Sequence, residues 1–154
     1  MLICFHYYST VMQGGYPRRK LFTQEWMDEK FGKEHSEALD GKKIDKGGLP
    51  DCGSGRYTME LGYEGWMNFN KAQRIHLNYM ESIGQILTMM LVCGLYYTRT
   101  TAIIGGIYLL ARVWYQVGYQ ILGPKGRIPA VPFIIGTQLL LPIFTIVSLF
   151  LLAN

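Results

Sequence analysis

Asn70, Arg74, Asn78, Glu81 and Gln85 recur every three or four residues within FNKAQRIHLNYMESIGQ. At about 100° per residue they project within an arc of roughly 80° on one helix. A second set, Tyr108, Arg112, Tyr115, Gln116 and Tyr119, falls within about 100° by the same arithmetic, on the side that carries Gly105. A guanidinium binds carboxylates, a carboxylate binds an ammonium, and Asn, Gln and Tyr side chains pair with amides. Two such faces brought together make a binding site for a small zwitterionic or anionic molecule. The blander alternative is an Arg112–Glu81 ion pair that ties two helices together, with the tyrosines as packing. A helix bundle needs far fewer polar groups than these to fix its register, so the site reading is preferred.

The elements that position these side chains follow from an uneven chain. Its 154 residues are 49% hydrophobic and 17% charged with a net charge of +4, which gives a prior of one domain. Residues 1–68 hold 9 Lys/Arg and 10 Asp/Glu, whereas residues 69–154 hold 6 Lys/Arg and one acid, Glu81. Beyond Glu81 the only charges are Arg99, Arg112, Lys125 and Arg127, and residues 128–154 have none. A bilayer core demands about 20 apolar residues per spanning helix. The pattern therefore predicts an all-α integral membrane helix bundle with three spanning helices and largely excludes a soluble enzyme. They are expected from Phe69 to about Tyr97, from Thr101 to about Leu122, and from Val131 to Leu152. Tyr96-Tyr97-Thr98-Arg99 reads as a tight turn at headgroup level, Gly123-Pro124 as a helix stop, and Pro142 as a kink in the third helix. Lys71, Arg74, Lys125, Arg127 and the basic residues of the N-terminal region fall on one side, which the positive-inside rule places in the cytosol or the mitochondrial matrix.

The N-terminal MLICFHYYSTVMQ is apolar for only about a dozen residues, too short to span, and GGYPRRK is expected to break it. It has neither the charged start of a secretory signal nor the arginines of a transit peptide, and reads as an interfacial or partner-bound segment. From Leu21 to Met67 the chain is polar. TQEWMDEKFGKEHSEALD predicts a short helix and GKKIDKGGLPDCGSG a turn-rich loop. Cys-Gly-Ser-Gly is followed by no GKS or GKT, so a phosphate loop is not predicted. The expected division is a polar, partner-docking region over 1–68 and a membrane domain over 69–154. Cys4, Cys52 and Cys93, with His6, His35 and His76, have no metal-ligand spacing. Neither metal nor disulfide framework nor nucleic-acid partner is expected. Cys93, Gln73 and His76 read as packing residues, the last two because they face away from the stripe.

Taken together, FNKAQRIHLNYME (69–81), RVWYQVGY (112–119) and GPKGR (123–127) resemble the MAPEG family, the membrane-associated proteins of eicosanoid and glutathione metabolism. The nearest likeness is to its microsomal glutathione S-transferase type 3 branch, whose helix pattern Phe69, Asn70, Gln73, Arg74, His76, Asn78 and Glu81 match. The resemblance implies a four-helix subunit in a homotrimer, with one glutathione held in a U shape between neighbouring subunits. Arg74, Asn78, Glu81, Tyr115 and Tyr119 would hold the glutathione backbone, and Arg127 would stabilise its thiolate as the catalytic residue. Glutathione would then attack a lipophilic electrophile, or reduce a lipid hydroperoxide, arriving from the bilayer.

Two features depart from the family. Ser82 stands where some members place a glutathione-contacting tyrosine, and the first transmembrane helix is missing, although Tyr16-Pro17-Arg18-Arg19-Lys20 is similar to the basic stretch that follows it. Two functions are therefore expected in competition. One is a glutathione transferase or peroxidase of the endoplasmic reticulum or mitochondrial inner membrane. The other is a non-catalytic accessory subunit among other membrane protein subunits, such as a respiratory or ATP synthase assembly, docked through residues 21–68.

Overall fold

In the computed structural model, which describes residues 1–153, the chain is all-helical, with no strand among the described residues. It divides into two compact units, residues 11–74 and residues 1–10 with 75–154. The main helices are α1 (Leu2–Leu21), α2 (Gln24–Met27), α3 (Lys33–Ala38), α4 (Arg56–Met59), α5 (Gly62–Tyr96), α6 (Thr98–Leu122) and α7 (Val131–Ala153); a π turn, Asp28–Gly32, joins α2 to α3.

The apolar unit contains most of α5, with α6 and α7. The helical stretch Thr98–Ala153 is long and apolar enough to cross a membrane, and only 22% of its most apolar window is buried inside the chain. A soluble core helix would bury most of such a window; here Leu110, Ile121, Leu139, Ile146 and Phe150 are all more than 60% exposed. That is the surface of an integral membrane helix bundle, whose solvent is lipid. The three long helices fall where the hydropathy pattern placed them, except that α5 starts at Gly62 and α6 at Thr98. Tyr97 alone separates α5 from α6, closing the expected aromatic turn. Gly123, at φ 69°, ends α6 in the left-handed region. A 3-10 segment, Gly123–Ala130, then leads into α7.

At the base of this connection Gly118 and Gly126 bring two backbones together. A Cβ on either would collide with the carbonyl oxygen of the other. The core is filled by residues such as Ile3, Ile75, Ile86, Ile104, Ile134 and Leu141, with Cys93 only 1% exposed and its Sγ 3.1 Å from Thr145 Oγ1. Cys93 is the packing residue its apolar setting predicts.

The N-terminus differs from expectation. GGYPRRK does not break the helix: α1 continues through Gly14, Gly15 and Pro17 to Leu21. Pro17 lies in the last two turns, where its missing N–H forgoes one bond of the helix, and Arg18, Arg19 and Lys20 suit the negative end of the dipole. Residues 1–10 belong to the apolar unit, with Ile3 in its core and its carbonyl accepting a bond from the Tyr79 hydroxyl at 3.3 Å. α1 is not among the stretches apolar enough to cross a membrane. His76 packs against it, 3.1 Å from Thr10 Oγ1 and under the Tyr7 ring.

The polar unit, residues 11–74, has its own core of Phe22, Met27, Phe31, Ile44 and Phe69. Arg18 secures its loop, donating to the carbonyls of Gly47 at 2.8 Å and Asp51 at 2.6 Å while its guanidinium lies over Phe69. In the Cys-Gly-Ser-Gly turn, the amides of Gly53 and Gly55 both donate to Asp51 Oδ1, and Thr58 N–H donates to Oδ2 at 2.7 Å. Amides that a phosphate loop would aim at phosphate are spent on a carboxylate, so the loop is structural. Burial alone would raise the Asp51 pKa, but the hydrogen bonds from Thr58, Gly53 and Gly55 overcome it and hold the carboxyl below its ordinary value. Its stabilisation is therefore complete above about pH 4, the unfolded value, and lost as pH falls through the lower folded one. Hydrogen exchange at residues 47–58 should accelerate under acid, and Asp51→Ala should produce that acceleration at neutral pH, at a local cost of about 1–3 kcal/mol. Equal exchange in the variant at pH 6 would show that the carboxylate does not hold the loop.

Candidate functional site

The polar face of α6 turns wholly inward. Tyr108, Arg112, Tyr115, Gln116 and Tyr119 are each at most 7% exposed. Opposite them on α5 the polar face is only partly covered: Asn78 is half-buried and Glu81 and Gln85 are exposed. Between them, closed on the far side by the start of α7, lies a cavity of about 710 Å³. Asn78, Glu81, Ser82, Gln85, Arg112, Tyr115 and Arg127 give it one polar wall. Apolar side chains, Ile128, Val131, Ile134 and Ile135, give it another.

Arg112 is the centre of the polar wall. Its Nε donates to Tyr108 at 2.9 Å, its Nη1 to Asn78 Oδ1 at 2.8 Å, and its Nη2 to Ser82 Oγ. Tyr79, Tyr108 and Tyr115 present ring faces within 4.6, 5.1 and 5.9 Å of the guanidinium, a cation–π enclosure. The expected alternative, an Arg112–Glu81 ion pair, does not form. Glu81 is exposed and, among the described residues, receives only Asn78 Nδ2, at 3.4 Å, while its neighbour Ser82 is the residue that turns to Arg112. The Asn78 amide stands between the two charges, oxygen toward the cation and nitrogen toward the carboxylate. A charge 3% exposed at membrane depth thus has neutral partners only.

Arg127, on the 3-10 segment, stands at the same wall. Its Nη1 donates to the Tyr115 hydroxyl at 3.2 Å and its guanidinium lies 5.6 Å from the Tyr119 ring centre. The Tyr115 bond raises its pKa, so Arg127 is a fixed cation. Among the described residues, Arg112, Arg127 and Glu81 take part in no salt bridge, and every ion pair lies in the polar unit.

Of the residues singled out from sequence, Asn78, Glu81, Tyr115 and Arg127 therefore line one cavity. Tyr119 sits behind, its ring 5.7 Å from that of Tyr115. Arg74 belongs to the other compact unit and does not line the cavity. Gln85 and Arg112, both members of the predicted polar faces, line it too, and so does Ser82, which was in neither. Arg112 lay in the predicted stripe, so its place was available from periodicity. Ser82 was not, because it lies about 40° beyond the stripe's edge by helical arithmetic.

The MAPEG family model matches residues 46–150, which span the whole cavity and most of the chain. No curated protein and no solved structure matches. The chain belongs to the MAPEG family.

Proposed function

We propose that this MAPEG member is a glutathione transferase or peroxidase acting on lipophilic electrophiles, in the manner of the type 3 branch of the microsomal enzymes. The observation that carries the reading is the charge inventory of the cavity: two guanidinium groups without an acid and one carboxylate without a base. Glutathione is the converse, with two carboxylates, a thiol that ionises to an anion, and one ammonium. Arg112, fixed deep in the wall with two N–H groups still free, takes a carboxylate. Glu81, with Asn78 orienting it, takes the ammonium. Tyr115 flanks the peptide backbone, with the Tyr119 ring packed against it.

Arg127 is then the catalytic residue. A free thiol has a pKa near 8.5 and is mostly unreactive at neutral pH. A guanidinium beside it in a site screened from water favours the thiolate, which is the nucleophile. The apolar wall of α7 gives the electrophile a route from the bilayer to the sulfur. Arg127→Ala should lower turnover with a generic aromatic electrophile about 100- to 1,000-fold, with a much smaller change in glutathione affinity. Thiolate absorbance of the bound tripeptide should fall in parallel. Should the purified wild-type chain bind no glutathione by titration calorimetry, the enzyme reading fails and the accessory-subunit role, with residues 21–68 as the docking element, takes its place.

A further inference from the structure

On the other face of α6 a second cavity of about 770 Å³ runs along the helix and is almost wholly apolar. Its floor is small, with Ala111, Gly118 and Ala130, and its rims are large, with Leu110 and Trp114 on α6 and Phe133 on α7. The rim residues are 71%, 60% and 60% exposed, whereas Ala111 and Ala130 are 6% and 1%. Large rims over a small floor make a true furrow. It extends from Ile107 to Leu122, a rise of about 23 Å, which exceeds the roughly 15 Å of one leaflet's hydrocarbon. One acyl chain fits along it.

The end of the furrow identifies the headgroup. Leu122, Pro129 and Ala130 close it, and the 3-10 segment between them carries Lys125, which is exposed and has no ion pair among the described residues. A basic group at the membrane-surface end of an apolar furrow matches a lipid phosphate, and the positive-inside rule puts this end at the leaflet that carries anionic lipids. We propose that this furrow is a binding site for one anionic phospholipid, with an acyl chain over Ala111 and Gly118, the phosphate on Lys125 and Trp114 packed along the chain.

Trp114 supplies the readout. The full chain is placed in nanodiscs of phosphatidylcholine doped with phosphatidylglycerol whose acyl chains are brominated, or with equally brominated phosphatidylcholine. The fluorescence lost in Trp114→Phe is assigned to that residue. Brominated phosphatidylglycerol should quench it at about one-fifth the mole fraction that phosphatidylcholine requires. Lys125→Glu should abolish the difference while leaving the helical signal intact. Equal quenching by the two lipids would reduce the site to ordinary bilayer contact and overturn the proposal. Protection of Trp114 from both lipids, in a chain that runs as an oligomer, would overturn it in favour of a second copy lying in the furrow.

Discussion

Arg112→Met should abolish measurable glutathione binding without costing the fold. Removing one side of a buried, charge-assisted contact costs about 2–5 kcal/mol, or roughly 30- to 5,000-fold in affinity. Stability should move the other way or not at all, because Arg112 is 3% exposed and its three bonds go to Tyr108, Asn78 and Ser82, all neutral. The variant regains the desolvation cost of the charge, which offsets the loss of about 1–3 kcal/mol from leaving neutral acceptors unpaired. The two measurements, calorimetric titration and thermal unfolding in detergent, thus separate a ligand-binding arginine from a structural one. Loss of both affinity and several degrees of melting temperature would mean that Arg112 is scaffolding and that the cavity's charge inventory was misassigned.

Gly118→Val should prevent assembly of the native apolar unit. The Cβ would enter the carbonyl of Gly126, and backbone cannot swing aside as a side-chain tip can. Over-packing a close contact costs about 1–3 kcal/mol when side chains give way, and more when they cannot. A loss above about 3 kcal/mol is expected, visible as failure to survive purification in mild detergent. Gly106→Ala, also on α6 but with open space around its Cα, is the control; it should be neutral or gain up to about 1 kcal/mol in helix propensity. Equal behaviour of the two variants would show that the 118–126 approach is not what joins α6 to the 3-10 segment.

How much of this could be read in the sequence depends on what periodicity reports. Direction around a helix is fixed by residue spacing, so all five residues of the α6 stripe point inward as expected. Depth is not fixed by spacing. Arg74, Asn78, Glu81 and Gln85 share a face, yet only Asn78 among them is half-buried, because cover depends on what the neighbouring helices bring. Partner choice is less legible still. Opposite charges on facing helices pointed to a pair, but Ser82 and Asn78 reach the guanidinium and Glu81 does not. The N-terminal helix was hidden for another reason: Gly14, Gly15 and Pro17 carry a local preference against helix that Arg18 overrides through contacts with residues about 30 positions away.

A single residue, Tyr97, separates α5 from α6, its N–H bonded to the Cys93 carbonyl and its carbonyl taking the Thr101 N–H, both at 2.8 Å. So short a hinge holds the two helices as a hairpin, a unit that can enter the bilayer together. That resolves how a guanidinium enters lipid at all, since Arg at the centre of a lone helix costs about 2.5–3.5 kcal/mol to insert. Asn78 and Ser82 leave the ribosome before Arg112, on the arm to which the hinge folds α6 back. Inserted as a hairpin, α6 would carry its charge into lipid already facing the acceptors that hold it in the folded chain.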